Sequence, residues 1–392
     1  MNWQKVKTIA IRSAGYLIVA ALASGITFSL CAPDAQTKSS TKLEELEQVI
    51  LDCFIGEANQ QTLQDGAAAG MVAATGDQWS YYISASEYQS YVDRMGNSYV
   101  GIGVTITVLE DNTGMKITKV SGGSGAEEAG LAAGDIITGV NGESVEKLGL
   151  EEAKNLIRGE ENTQVQLTVL RDGQSMEVSV IRRTVTVEVA TGKMLDGQIG
   201  LITIDNFDSR CAQETIAQVE MLLEQGAEGL IFDVRNNPGG YRHELVKVLD
   251  YLLPEGDLFR SVDYQGKESV DTSDESCVKL PMAVLINGES YSAAEFFAAA
   301  LEEYDWAVTV GEPTVGKGYF QSLVNLSDGS AVSLSMGKYF TPKGVSLAEV
   351  GGLTPGIPVE LTQEQKIAVY ARTLPEDQDP QIQAALEYLR NH

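Results

Sequence analysis

Residues 282–304 read MAVLINGESYSAAEFFAAALEEY, and the fold of this chain depends on that stretch. Five apolar residues come first, a turn containing Gly288 follows, and a run rich in alanine and phenylalanine completes the stretch. A short apolar run is typical of a strand buried on both faces, and the second run has the length and composition of a helix. The stretch therefore predicts strand, turn and helix in succession, with Ser292 at the turn.

Three more apolar segments predict the neighbouring strands: IGLITI at 199–204, GLIFDV at 229–234 and AVTV at 307–310. Helical segments are expected at about 211–224, 244–253 and 293–304. Strands that alternate with helices in this way predict an α/β core with a covered, parallel or mixed sheet.

Residues 99–183 carry a different pattern, with short alternating strands, glycine-rich turns and one helix at about 150–158. Here the sequence resembles a PDZ domain, in Tyr99–Val104 and in AEEAGLAAGDIITGVNGESV at 126–145. A glycine loop can hold a chain-terminal carboxylate on its N–H groups, and a strand edge can accept a peptide as an extra strand. The candidate peptide-binding residues are Val100, Gly101, Ile102, Gly103 and Val104.

The N-terminal region predicts export. Lys5, Lys7 and Arg12 precede an uncharged stretch, residues 13–33, that has roughly the twenty residues needed to cross a bilayer. No clean cleavage site follows it, so a retained anchor is favoured over a cleaved signal. The expected divisions are an anchor at 1–33, a linker and helical region at 34–98, a PDZ domain at 99–183, an α/β core at 184–360 and a helical C-terminal segment at 361–392.

Composition excludes several classes of function. The 28 basic residues stand against 55 acidic ones, and a net charge of −27 argues against nucleic-acid binding. The four cysteines show no CxxC spacing, although one disulfide among Cys53, Cys211 and Cys277 stays open. Only two histidines exist, so a His-based triad would need His243 and a multi-His metal site is not expected.

The segment GLIFDVRNNPGG, residues 229–240, ends an apolar strand in a proline-glycine turn. Gly239 and Gly240 permit backbone conformations in which N–H groups point into a cleft, as an oxyanion hole requires. From this segment alone, an ordinary strand-ending turn is the favoured alternative.

Lys317 lies between two glycines in Val315–Gly318, and Gln321 follows four residues later. A lysine has an ordinary pKa of about 10.4, so a lysine base must be desolvated to act near neutral pH. Gln321 could orient the amine without adding charge. A solvated loop lysine, and Ser292 as a simple helix N-cap, are the alternatives.

Four ordered motifs resemble those of the C-terminal processing peptidases, the tail-specific serine proteases of peptidase family S41. Two of these motifs contain Ser292 and Lys317. The other two are GDQWSYY at 76–82 and KYFTPKG at 338–344. The resemblance implies Ser292 as nucleophile, Lys317 as general base and Gln321 as its orienting residue. The 25-residue separation of Ser292 and Lys317 matches the family, whereas Ser290 would give 27.

The resemblance also implies oxyanion donors at Gly239, Gly240 and Ala293. The sequence departs from the family pattern at Glu289, Tyr291, Ala294, Val315 and Gly356. These departures bear on the shape of the pocket and the oxyanion geometry, and none removes an expected catalytic side chain.

We therefore expect a membrane-anchored, extracytoplasmic serine endopeptidase that needs no metal or other cofactor. Its expected partners are proteins bound by their C-terminal tails and the membrane, with a homo-oligomer possible through the N-terminal helices. Two alternatives remain at this point: a PDZ adaptor on a catalytically silent peptidase fold, and an acyl-transfer enzyme with another ester or amide substrate.

Overall fold

The computed structural model describes residues 41–109 and 111–391, and the predicted anchor at 1–33 lies outside them. The described chain forms two compact units, one of residues 41–85 and 323–334 and one of residues 86–322 and 335–391. Within the described residues, every helix is too short or too polar to cross a membrane.

The first unit begins with helices α1 (Lys42–Cys53) and α2 (Gln60–Ala73). A capping box between Thr41 and Glu44 starts α1, because each satisfies a backbone N–H of the other. A short strand, β1 (Tyr81–Ile83), then pairs antiparallel with residues 331–333. The sequence predicted a linker and helical region at 34–98 and did not predict this strand, because its pairing partner lies 250 positions further along the chain.

The second unit starts with helix α3 (Ala85–Met95), most of which belongs to it, and continues into the PDZ-like region. The elements of that region are β2 (Ser98–Gly101), β3 (Val104–Val108), β4 (Met115–Val120), α4 (Gly125–Glu128), β5 (Ile136–Val140), β6 (Glu143–Ser144), α5 (Val145–Leu148), α6 (Leu150–Ile157), β7 (Gln164–Arg171), β8 (Gln174–Ile181) and β9 (Arg183–Thr186). The main sheet has the order β3-β4-β5-β7-β8, so β3 is an edge strand. Inward-facing residues such as Ile117 and Leu167 are completely buried.

The entry and exit of the PDZ-like region lie side by side. Strand β2 pairs antiparallel with β9, and Ser98 is opposite Thr186. Arg210 of the following core fixes both ends, because its guanidinium donates to the carbonyl oxygens of Gly96 at 2.9 Å and Val187 at 2.6 Å. One side chain of the core thus binds both connections of the inserted region.

The core contains a six-stranded mixed sheet with helices on both faces, which confirms the predicted class. Its elements, with the C-terminal ones, are β10 (Ala190–Leu195), β11 (Ile199–Ile204), α7 (Cys211–Glu224), β12 (Gly229–Asp233), α8 (Arg242–Leu252), β13 (Gly256–Asp263), β14 (Glu268–Ser273), β15 (Met282–Ile286), α9 (Ala293–Glu303), β16 (Ala307–Gly311), β17 (Tyr319–Asn325), β18 (Ala331–Phe340), α10 (Leu347–Val350), β19 (Ile357–Pro358), α11 (Gln363–Tyr370), a 3₁₀ turn (Glu376–Gln378) and α12 (Pro380–Arg390). The sheet order is β10-β11-β12-β15-β16-β19, with β10 antiparallel to β11 and the other pairs parallel.

Alternate residues of the central strands enter two different cores. In β15, Met282, Val284 and Ile286 pack with α7, α8 and α9, whereas Ala283 and Leu285 pack with α12. Because the two faces of a strand alternate residue by residue, burial on both faces requires an uninterrupted apolar run. This explains why the apolar segments predicted β11, β12, β15 and β16 almost to the residue.

A second sheet was not predicted. Strand β13 pairs antiparallel with β14 and with residues 337–340 of β18. These strands are partly exposed and mix polar with apolar residues, as in ESVDTS of β14. Their sequence therefore lacks the signal that marks the doubly buried strands.

Candidate active site

Ser292 occupies a strained position between β15 and α9. Its backbone has φ 56° and ψ −125°, a region that residues with a side chain rarely adopt. Ser292 is 5% exposed, and its N–H donates to Oε2 of Glu295 at 2.9 Å. Strain of this kind persists only where the surroundings enforce it, and it is typical of functional turns.

Ser290, the rival serine, has a structural role. It is fully buried, and its Oγ donates to the carbonyl oxygen of Val234 at 2.8 Å and accepts from the N–H of Asn287 at 3.0 Å. The side chain of Asn287 also exchanges hydrogen bonds with Asn236 across the neighbouring loop. Ser290 therefore fastens the turn, which leaves Ser292 as the candidate nucleophile.

The glycine loop lies directly against Ser292. Gly239 has φ 89°, and a Cβ added there would lie 2.7 Å from Cβ of Ser292 and 2.8 Å from the nitrogen of Ala293. The N–H of Gly239 donates to Oδ1 of the buried Asn237 at 2.8 Å. In the described structure, the N–H groups of Gly240 and Ala293 have no protein acceptor within hydrogen-bond distance.

A buried carboxylate joins the serine turn to the lysine loop. Glu295 is fully buried; its Oε2 accepts from the N–H of Ser292 and from the N–H of Lys317, each at 2.9 Å. Its Oε1 accepts from Oγ1 of Thr314 at 2.5 Å and the N–H of Gly316 at 2.6 Å. Burial raises the pKa of Glu295, and these four hydrogen bonds oppose the rise. The role of Glu295 was not predicted from the sequence, although a Glu three positions after a turn serine is the capping-box spacing.

The glycines on either side of Lys317 allow close packing. A Cβ at Gly316, which has φ 85°, would lie 2.7 Å from the nitrogen of Gly352, and one at Gly318 would lie 2.9 Å from Cβ of Ala348. Helix α10 and the residues after it therefore close over the loop, so the flanking glycines are required for packing.

Lys317 lies in this glycine-flanked loop, and Gln321 lies on the strand that follows it. The Nζ of Lys317 lies 5.7 Å from the ring centroid of Tyr291, one of the departures from the family pattern. Gln321, on β17, donates through Nε2 to Oγ of Ser335 at 3.0 Å and to the carbonyl oxygen of Tyr319 at 3.1 Å. The two residues thus belong to one continuous segment beside the serine turn.

His243 stands apart from this cluster. Its side chain is 63% exposed at the start of α8 and stacks on Tyr241 with ring centroids 5.1 Å apart. His243 is therefore an exposed residue at a helix start and lies outside the serine and lysine cluster. Cys211 and Cys277 are thiols, so no disulfide joins them in the described structure. The described residues contain no cluster of His, Cys, Asp and Glu that could hold a metal ion.

The predicted peptide-binding residues of the PDZ-like region differ in placement. Val100 and Gly101 pair with β9, Ile102 is buried in the core of the region, and Gly103 and Val104 lead into the edge strand β3. Gly103 has φ 81°, and a Cβ there would lie 2.3 Å from Cβ of Ser124. Only glycine fits this bend, from which β3 continues with an edge that no described strand covers.

The α/β core, the strained serine at a strand-to-helix turn and the PDZ-like region that precedes them are together the arrangement of a serine peptidase that carries a PDZ domain. Comparison with known families agrees: residues 198–359 match the model of Peptidase family S41, and residues 92–170 match that of the PDZ domain.

Several known proteins are similar over most of the chain. The carboxy-terminal processing protease CtpA of Bacillus subtilis (strain 168) is 32% identical over 90% of this chain and 77% of its own length. A CtpA-like serine protease of Staphylococcus aureus (strain MRSA252) is 30% identical over 85% of this chain and 67% of its own length. The crystal structure of an S41 protease from Bacteroides fragilis covers 92% of this chain and 99% of its own, with 17% identity and a TM-score of 0.54, a likeness of fold. The chain belongs to peptidase family S41, as a C-terminal processing serine protease with a PDZ domain.

Proposed function

We propose that the protein is an exported endopeptidase in which Ser292 and Lys317 form the catalytic dyad. The observation that supports the pairing best is the shared carboxylate of Glu295, whose Oε2 binds the backbone N–H of both residues. One buried acceptor thereby fixes the nucleophile's turn and the lysine's loop relative to each other. Gln321 would orient the lysine amine from the neighbouring strand.

In the proposed reaction, the neutral amine of Lys317 takes the hydroxyl proton of Ser292 as Oγ attacks the peptide carbonyl carbon. The negative oxygen that forms is stabilised by backbone N–H groups. Gly240 and Ala293 are the preferred donors because their N–H groups have no acceptor in the described protein, whereas Gly239 already donates to Asn237. Lys317 then protonates the leaving amine. In the second half of the reaction, Lys317 takes a proton from water as the water oxygen attacks the acyl carbon. It returns that proton to Oγ of Ser292 as the acyl group leaves.

The PDZ region would select the substrate. A C-terminal carboxylate would be held by the bend at Gly103, and the residues before it would pair with the edge of β3. Substrates would be unfolded or membrane-associated proteins, and residues 13–33 would anchor the enzyme with its catalytic part outside the cytoplasm. Cell fractionation before and after deletion of residues 13–33 tests the anchor, and recovery of both proteins in the soluble fraction would contradict it.

Alanine variants of Ser292 and Lys317 test the dyad. Each is expected to abolish cleavage of casein, an unstructured protein, while Lys338→Ala, at a lysine that is half exposed on β18, should cleave normally. Full activity in either dyad variant would refute the proposal. A fluorophosphonate should label wild-type Ser292; absence of both labelling and cleavage would favour the silent adaptor.

Amidation of the substrate tests tail recognition. A peptide with a free C-terminal carboxylate should be cleaved faster than the same peptide with a terminal amide, because the amide removes the charge that the glycine loop would bind. Equal rates would instead favour hydrolysis without tail selection.

A further inference from the structure

Tyr339 lies at the same turn as Ser292, although the reaction proposed above does not use it. It belongs to β18, within the segment KYFTPKG that the sequence analysis singled out. Tyr339 is 8% exposed. Burial raises the pKa of its phenol group, and the nearby hydroxyl of Ser292 partly opposes the rise. A tyrosine buried in a core normally places its hydroxyl on a polar partner, and the hydroxyl of Ser292 is near enough to be considered for that part.

Aromatic packing fixes the ring of Tyr339. Its centroid lies 5.0 Å from that of Phe259, 5.2 Å from that of Phe296 and 5.6 Å from that of Phe320. Phe296 belongs to α9, one turn after Ser292, so the helix that begins at the nucleophile also supports the ring. A ring held from three sides can direct its hydroxyl with little freedom.

The backbone of Tyr339 touches the lysine loop as well. Its N–H donates to the carbonyl oxygen of Gly318 at 2.9 Å, and Gly318 directly follows Lys317. Tyr339 therefore contacts the serine turn through its side chain and the lysine loop through its main chain. Glu295 binds the same two segments through their N–H groups. Tyr339 and Glu295, which lie on different elements, therefore both connect the serine turn to the lysine loop.

We propose that Tyr339 is a positioning residue that donates a hydrogen bond to Oγ of Ser292 and holds that side chain toward Lys317. The inference rests on the proposed dyad. The direction of the bond follows from the chemistry, because the serine proton must remain available for the lysine amine. Burial raises the pKa of Tyr339 to about 12, so the phenol keeps its proton at neutral pH and can act as a donor. It transfers no proton during the reaction.

Tyr339→Phe removes only the hydroxyl and keeps the ring. With casein as substrate, kcat should fall about ten-fold and KM should change less than two-fold, because one neutral hydrogen bond is lost at the reacting atom. The rate of fluorophosphonate labelling at Ser292 should fall in parallel. The control is Tyr304→Phe, which removes a half-buried phenol whose hydroxyl donates to the carbonyl oxygen of Asp257 at 3.0 Å, and it should leave both rates unchanged.

A second measurement does not depend on activity. In protein labelled with ¹³Cζ-tyrosine, the Tyr339 signal is identified by its loss in Tyr339→Phe. Ser292→Ala should shift that signal at neutral pH and leave the Tyr304 signal in place. An unshifted Tyr339 signal, or an unchanged kcat in Tyr339→Phe, would overturn the inference. Full casein cleavage by Ser292→Ala would refute the dyad instead, and the spectrum would still decide whether the two hydroxyl groups meet.

Discussion

Asp208 provides a sharp test of the electrostatics beside the glycine loop. Asp208 is 8% exposed, and its Oδ1 is the one buried side-chain oxygen or nitrogen in the described structure that lacks a hydrogen-bond partner. Burial raises its pKa to about 7, and the positive charge of Arg94 only partly opposes the rise. The carboxyl is thus held in a place that favours its neutral form.

The sign of the pH effect follows directly. Because the folded-state pKa lies above the ordinary value of about 3.9, the folded protein binds this proton more tightly, and the free energy of unfolding falls as the pH rises from about 4 to 7. The full difference amounts to about 4 kcal/mol, of which about 2.5 kcal/mol falls between pH 5 and 8. Asp208→Asn removes the titration while keeping the shape. Relative to wild type, the variant should therefore gain about 2.5 kcal/mol of stability over this interval.

Urea unfolding at pH 5 and pH 8, followed by fluorescence, measures this change; Trp306 lies in the same core and reports on it. Asp135→Asn is the matched control, since Asp135 is 2% exposed but paired with Arg171 at 2.6 Å, which lowers its pKa. That carboxylate is ionised in both states above pH 5, so its variant should differ from wild type by a constant amount. A constant difference for Asp208→Asn would refute the reasoning.

Three further outcomes follow from the contacts. Glu295→Gln turns an acceptor of four hydrogen bonds partly into a donor. Because hydrogen bonds to a charged group contribute about 1.5–3 kcal/mol each, kcat should fall about 100-fold or more. Active-site titration with a fluorophosphonate checks this loss. Gly239→Ala should abolish peptidase activity, because its Cβ would lie 2.7 Å from that of Ser292, whereas Gly344→Ala, with φ 82° and open space, should cost only about 1 kcal/mol of stability and stay active. Gly103→Ala should weaken binding of a free C-terminal peptide in calorimetry, and Gly123→Ala, which has φ 70° and no neighbour within 4 Å, should bind normally.

The sequence predicted best what depends on local burial. The four doubly buried strands and helices such as Cys211–Glu224 lie where the apolar patterns indicated, because burial on both faces leaves a continuous signal. Strands β13, β14, β17 and β18 were not predicted, because partly exposed strands carry no continuous apolar signal and depend on the strands they pair with. The same holds for β1.

The candidate site divides in the same way. Spacing and family resemblance selected Ser292 over Ser290, and the structure gives Ser290 a structural hydrogen bond to Val234. The part played by Glu295 was not predicted, because its four donors come from two loops that only the fold brings together. The occupation of the Gly239 N–H by Asn237 likewise depends on a turn whose exact conformation the residue types do not determine.

The adjoining ends of the PDZ region have a consequence for how such a protein can evolve. Ser98 and Thr186 face each other in an antiparallel ladder, which places their Cα atoms about 5 Å apart. The guanidinium that binds both connections belongs to Arg210, a residue of the catalytic core. A domain joined in this way can be removed with little disturbance to the rest of the chain, because its two connections to the core lie next to each other. Domains with other binding preferences could be exchanged at this point. The peptidase core could then acquire new substrates without changes to its own structure.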